Sequence, residues 1–305
     1  MTIRKAEHYL KADITLLAAA FIWGFAFVAQ RAGMQFIGPF LFNAIRFFLG
    51  TLIMLFLMKS SYPGFIRIPR VDLLQAGLAF VAGIILFLAA SLQQLGLVYT
   101  TAGKAGFITG FYVVLVPFFG IWWSREKPGM YHFAGAFLAL AGIYLLSLKN
   151  IHSVNRGDLL VFASAFFWAA HVIWLGNFSA RVHIFTFAAI QYGICSILSM
   201  VFAVLMESIS LNAVREALLP LLYGGVMSVG IAFTLQIQGQ KTAHPAHAAI
   251  ILSLEGVFAV LGGLLLLKET LTTRIIAGCF LILCGMVLAQ VTRHRILARK
   301  PFFPD

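Results

Sequence analysis

Nine of the ten acidic residues in this 305-residue chain (Glu7, Asp13, Asp72, Glu126, Asp158, Glu207, Glu216, Glu269 and Asp305) fall in loops or at the ends of apolar runs. Glu255 is the exception, near the midpoint of the run 244–267. A charge at the centre of a bilayer costs about 3 kcal/mol on insertion scales, so such a residue is expected to face a bundle interior or water. There it would bind a proton or pair with a cation; the structural alternative is a protonated acid hydrogen-bonded to a neighbouring helix. At 100° per residue, His244, Ala248, Ala259 and Gly262 fall within about 40° of Glu255. That small-residue stripe lets a second helix approach and shelters the carboxyl group.

Other chemistry-bearing side chains sit at similar depth. Arg46, in the second run, would neutralise a substrate carboxylate or bond to helix carbonyls and Asn43. His171, in the sixth, could change charge beside an acid because imidazole titrates near neutrality, although a lone helical His is often only a satisfied hydrogen-bonder. Trp23 and Trp168 stand mid-run, away from the interfacial belts that Trp prefers, and their faces could wall a cavity or receive a cation. Trp122 and Trp123, at the end of the fourth run, read as belt residues. Gln93 and Gln236 lie near opposite membrane faces, which suits polar gates or helix–helix hydrogen bonds equally. With 30 Phe in the chain, most aromatics are lipid filler, so no Phe is singled out.

The elements that must hold these groups are membrane helices. The chain is 61% hydrophobic and 10% charged, with a mean hydropathy of +0.96, which excludes a water-soluble surface around a buried core. Ten apolar stretches have spanning length: 12–34, 37–58, 73–97, 102–123, 130–148, 158–177, 184–206, 217–238, 244–267 and 273–292. About 20 residues at 1.5 Å rise cross a core of about 30 Å. Helices satisfy their own backbone, and barrel-type alternation is absent. The net charge of +12 follows a topological pattern and does not point to nucleic acid. With the N-terminus inside, 14 loop Lys and Arg residues fall in the cytoplasm and 7 outside, so both termini are expected to be cytoplasmic. The basic tail RHRILARK could also touch anionic lipid.

The second half of the chain repeats the first. A shift of 145 residues lays Asp13, Ala20, Phe21 and Trp23 on Asp158, Ala165, Phe166 and Trp168. After a two-residue gap, a shift of 143 pairs Leu92, Gln93 and Gly96 with Leu235, Gln236 and Gly239, and Glu126 with Glu269. It also sets Tyr112 against Glu255 and Lys104 against His247. Two copies of five crossings each (1–150 and 151–305) must be inverted relative to each other, the architecture of an alternating-access carrier.

These residues resemble the drug/metabolite transporter superfamily, specifically its EamA-type ten-helix members, over residues 11–292. The resemblance is carried by AAAFIWG and ASAFFWA in the first helix of each copy, and by Asn43-Ala44-Ile45-Arg46-Phe47 in the second helix. It is carried also by the acidic turns Ser124-Arg125-Glu126-Lys127-Pro128 and Leu267-Lys268-Glu269-Thr270, each followed by a glycine-marked fifth helix. It implies an all-α protein that exports or exchanges small metabolites through a central cavity, with helices 5 and 10 as peripheral packing. Because the family has an Arg at position 46 and helix 2 need not line the cavity, a structural Arg46 is the favoured reading. The second copy has Gln191 in its place.

No enzyme motif or nucleotide-binding domain is present. Gly103-Lys104 lacks the earlier glycine and following hydroxyl of a phosphate loop, where Val98 and Ala105 stand. His244 and His247 have no neighbouring carboxylate or Cys to complete a metal site, and Cys195, Cys279 and Cys284 read as reduced packing residues. No cofactor is therefore expected. The expectation is a secondary transporter of the cytoplasmic membrane with substrate-binding residues Glu255, Trp23, Trp168, His171, Tyr112, Gln93 and Gln236. Its partners would be a small-molecule substrate, an amino acid or organic cation first, and membrane lipid. Proton coupling is a further role for Glu255, and the chain would be a monomer or homodimer. The competing readings are a lipid-type flippase on the same fold and a membrane-embedded sensor or enzyme.

Overall fold

The computed structural model describes residues 3–61, 73–124, 130–150, 153–243 and 245–291. The first half holds α1 (Ile3–Gly33), α2 (Pro39–Ser61), α3 (Leu73–Leu97), a fourth span built of α4 (Ala102–Thr109) and α5 (Tyr112–Ser124), and α6 (Met130–Ser147). A short antiparallel pair, β1 (Leu148–Asn150) and β2 (Ser153–Val154), leads into the second half. There α7 (Arg156–Phe178) and α8 (Ile184–Met206) are followed by the short α9 (Leu211–Glu216). The eighth span is α10 (Leu218–Leu222), a π-helical stretch Tyr223–Phe233 and α11 (Thr234–Gln240). The ninth is α12 (Pro245–Leu252) with α13 (Glu255–Leu266), and the tenth is α14 (Thr273–Val291). Among the described residues, eight of these spans are long and apolar enough to cross a membrane, and two shorter apolar helices, Phe133–Leu145 and Thr273–Leu288, complete the ten.

The protein is thus an all-α membrane protein, with its spans where the hydropathy pattern places them. Two spans differ from that pattern by being interrupted. In the fourth, α4 stops at Thr109 and α5 restarts at Tyr112; in the ninth, α12 stops at Leu252 and α13 restarts at Glu255. The two breaks share their hydrogen bonds. Phe111 N–H donates to the Ile108 carbonyl and Val113 N–H to that of Gly110, both at 3.1 Å; their equivalents are Leu254 to Ile251 at 3.2 Å and Gly256 to Ser253 at 3.1 Å. Such tight turns keep the backbone satisfied inside the bundle, the condition under which broken helices survive at membrane depth.

The copies pack around a pseudo-twofold relation that close helix contacts record. At Gly96 on α3 a Cβ would meet Val161 and the Gly157 carbonyl of α7; at the equivalent Gly239 on α11 it would meet Leu16 and the Ala12 carbonyl of α1. The fifth and tenth spans repeat the pattern face to face. A Cβ at Gly142 would stand 2.6 Å from the Gly278 carbonyl oxygen, and one at the equivalent Gly285 would stand 2.5 Å from that of Gly135. Small residues let these backbones approach closely. On the outer face of this pair, the equivalent Phe137 and Phe280 are 72% and 64% exposed, suited to lipid.

Carboxylates tie helix starts across the copies. Glu207, after α8, accepts from Phe40 N–H at 2.8 Å and Leu41 N–H at 2.9 Å at the start of α2. Glu269, after α13, accepts from Ala102 N–H at 2.7 Å and Gly103 N–H at 3.1 Å at the start of α4. A negative charge there satisfies two orphan donors and complements the helix dipole. Glu126, the sequence counterpart of Glu269, lies outside the described residues, as do His244 and the basic tail RHRILARK.

Candidate functional site

A cavity with about 460 Å³ of space unfilled by atoms lies between the two copies. Its wall is itself duplicated. Trp23 and Trp168, Phe27 and Val172, Gln93 and Gln236, Thr109 and Leu252, and Tyr112 and Glu255 all line it, and each couple is related by the repeat. Helices α1 and α7 contribute the first two couples, α3 and α11 the third, and the broken spans the last two. Tyr112 and Glu255 are therefore the first residues after the two breaks, which places them on chain segments that approach the cavity from opposite copies. Glu255 thus stays at the middle of the ninth span, but as the first residue of its second helical segment and not inside a continuous helix.

Six of the seven sequence-derived site residues meet in this cavity: Glu255, Trp23, Trp168, Tyr112, Gln93 and Gln236. The seventh, His171, is displaced from it. Fully buried on α7, it lies in edge contact with Trp168 at 6.1 Å and Phe233 at 6.2 Å, and its Nε2 pairs with Gln191 Oε1 at 3.2 Å. Trp168 and Val172 take the cavity side of that helix, so the imidazole stands one layer behind the wall. Gln191, the counterpart of Arg46, is drawn to it.

Arg46 is the converse case, because the structural role favoured from sequence covers only part of its position. Its Nε donates to Asn43 Oδ1 at 2.9 Å, and its guanidinium lies 4.8 Å from the Phe47 ring centroid and 5.9 Å from that of Phe42. Yet it also lines the cavity, at 2% exposure. No carboxylate among the described residues is within ion-pair distance of it, and none of their basic groups is within ion-pair distance of Glu255. One chamber therefore holds a guanidinium and a carboxyl group that are not spent on each other.

The remaining wall is aromatic with a few polar edges. Phe233, where the π-helical stretch ends, is its hub: 4.6 Å from Trp23 in an edge contact, 5.9 Å from Trp168 in a near-parallel stack, and 6.0 Å from both Phe47 and Tyr192. Sequence reasoning missed it, since its repeat counterpart is Ala90 and no duplicate marks it among 30 Phe. The two indoles differ. Trp23 Nε1–H donates to the Ser228 carbonyl at 3.2 Å within the π-helical stretch, whereas Trp168 Nε1–H has no partner among the described residues. Gln93 Nε2 donates to Thr109 Oγ1 at 3.0 Å, whereas Leu252 stands opposite Gln236; among the described residues, Gln236 Oε1 and Gln30 Oε1 have no partner. Buried donors and acceptors without partners are costly unless a guest or water completes them. Here a donor and two acceptors stand buried and unpaired among the described residues, on side chains that line one chamber.

A duplicated wall around a chamber, entered by broken helices, fits the inverted-repeat layout of transporters, and the EamA-like transporter family matches residues 10–148 and, a second time, 155–290. The chain belongs to the EamA-like transporter family. It is 33% identical over 282 residues to an uncharacterized transporter of Archaeoglobus fulgidus, covering 92% of this chain and 86% of that one. A probable amino-acid metabolite efflux pump of Salmonella typhimurium is 25% identical over 289 residues, 89% of this chain and 92% of that one. A crystal structure aligns with a TM-score of 0.69 at 23% identity, over 93% of this chain and 98% of that chain, a likeness of fold. Among the described residues no group of three His, Cys, Asp or Glu is disposed to hold a metal ion, and Cys195, Cys279 and Cys284 are free thiols.

Proposed function

We propose that this EamA-family transporter is a secondary carrier of the cytoplasmic membrane that exports or exchanges a small dipolar metabolite, an amino acid before a simple organic cation. The observation that carries the proposal is the single chamber walled by five repeat-related couples and holding both Arg46 and Glu255. Glu255 receives an ammonium group, Arg46 a carboxylate, and the indoles of Trp23 and Trp168 with Phe233 enclose the apolar part. Arg46 is what moves the preference from cations toward zwitterions. The unpaired Trp168 Nε1, Gln236 Oε1 and Gln30 Oε1 supply further donors and acceptors.

In this reading the inverted copies rock about the pseudo-twofold, exposing the chamber to either side in turn, with both termini in the cytoplasm. When no substrate is bound, Glu255 carries a proton, which offsets the cost of an isolated buried charge. The test is counterflow in proteoliposomes with radiolabelled leucine, and with the matching amine and matching acid as competitors. Leucine is expected to exchange and to be displaced more weakly by either half-molecule than by unlabelled leucine. Glu255→Gln is expected to lower exchange and to flatten its pH dependence. Unchanged rate, pH dependence and preference in that variant would remove Glu255 from the mechanism.

A further inference from the structure

The repeat relates two further couples that lie outside the chamber. Shifting Asp13 by 145 gives Asp158, and shifting Lys104 by 143 gives His247. In the structure these residues are partners across the copies. His247 Nε2 lies 2.8 Å from Asp13 Oδ1, joining the start of α12 to the first part of α1. Lys104 Nζ lies 3.7 Å from Asp158 Oδ2, joining the start of α4 to the start of α7. The same cross-copy contact is thus made twice, once by residues of each orientation.

The two contacts stand at opposite ends of the bundle. Asp158 shares its end with Asn155, which donates to the Tyr99 carbonyl at 2.9 Å, with Thr100, whose hydroxyl donates to Asp158, and with Arg31, which bonds the Leu97 and Val98 carbonyls at 2.9 and 3.0 Å. Asp13 and His247 lie at the end where α1 and α12 begin. Every helix tied by these pairs, α1, α4, α7 and α12, also contributes to the chamber wall. We propose that Asp13–His247 and Asp158–Lys104 are the two mouth latches of the carrier, each holding one end of the chamber closed. The proposal rests on the alternating-access reading above.

The latches are not equal. The Asp158 and Lys104 side chains are 0% and 14% exposed, and Thr100 adds a hydrogen bond, whereas Asp13 and His247 are 37% and 43% exposed and the counterpart of Thr100 is Ala243. Glu269 is held by the Ala102 and Gly103 N–H groups, which leaves Lys104 to Asp158. An exposed pair contributes little, while breaking a buried one strands a charge. The Asp158 mouth is the more tightly fastened.

The test places a single cysteine in the chamber (Ser228→Cys, with Cys195, Cys279 and Cys284 replaced by Ala) and measures its labelling by a membrane-impermeant maleimide added to one side of oriented vesicles at a time. Asp13→Asn or His247→Gln is expected to raise labelling from one side about two- to fivefold. Lys104→Gln is expected to raise it from the other side, by about tenfold or more. His247→Lys, which keeps a donor facing Asp13, should keep the parental pattern. Should Asp13→Asn misfold, His247→Gln reads the same mouth. Labelling that changes from the same side for both pairs, or from neither, would overturn the latches. Because labelling needs no substrate, its sidedness stays readable if leucine counterflow fails, and a negative labelling result leaves the counterflow result standing.

Discussion

The contact between α6 and α14 gives the sharpest quantitative expectation. A Cβ at Gly142 would stand 2.6 Å from a backbone carbonyl oxygen, and one at Gly285 2.5 Å from its counterpart. Ordinary carbon–oxygen contact begins at about 3.3 Å, so Gly142→Ala or Gly285→Ala must part the helices by about 0.7 Å. A carbonyl fixed in a helix cannot rotate aside. Overpacking of this kind costs about 1–3 kcal/mol, a drop of roughly five- to 150-fold in the ratio of folded to unfolded protein. The pseudo-twofold adds a stricter condition: the two variants should cost nearly the same. Reversible unfolding in mixed micelles measures both values. Since neither glycine lines the chamber, substrate affinity of the folded fraction should be unchanged. Two neutral substitutions, or one neutral and one severe, would refute the close symmetric packing.

Two further expectations concern single groups. Trp23→Phe removes the donor to the Ser228 carbonyl and should cost about 1 kcal/mol of stability, while Trp168→Phe, whose indole N–H is unpaired, should leave stability alone and weaken substrate binding; the opposite assignment in paired melting and binding assays would contradict the wall geometry. At the membrane surface, burial and then the nearby Lys241 ammonium hold the His183 imidazole below its ordinary value. Lys241→Gln removes the repelling charge, so the His183 pKa should rise toward 6.5, and an NMR titration showing no rise would contradict their proximity.

Most of the architecture was legible because membrane helices announce themselves by length and hydropathy, and because the repeat register survives at particular residues. Gly96 and Gly239 match in sequence for the reason the structure shows: each presses against the first helix of the other copy. The chamber was legible to the same extent. Trp23, Trp168, Gln93, Gln236, Tyr112 and Glu255 came from duplication or from an acid in an apolar run, and duplication is what a shared wall requires. What was hidden has physical causes. The breaks after Thr109 and Leu252 carry no proline and only one glycine, Gly110, so apolar periodicity runs through them. Phe233 has no duplicate. Arg46 lies on a helix that need not line the chamber, but its side chain is long enough to reach it. His171 stands behind Trp168 and not among the chamber-lining residues, because a polar residue in a span signals burial without saying which side of the wall it occupies.

Transport by rocking of the two copies requires one chamber that both share. Thr109→Cys and Leu252→Cys, in otherwise cysteine-free protein, place equivalent thiols on the two copies, and their maleimide labelling can be followed as leucine is titrated in. One substrate in one chamber should protect both positions with the same half-protection concentration. Protection of only one thiol, or of the two at clearly different concentrations, would contradict a shared site.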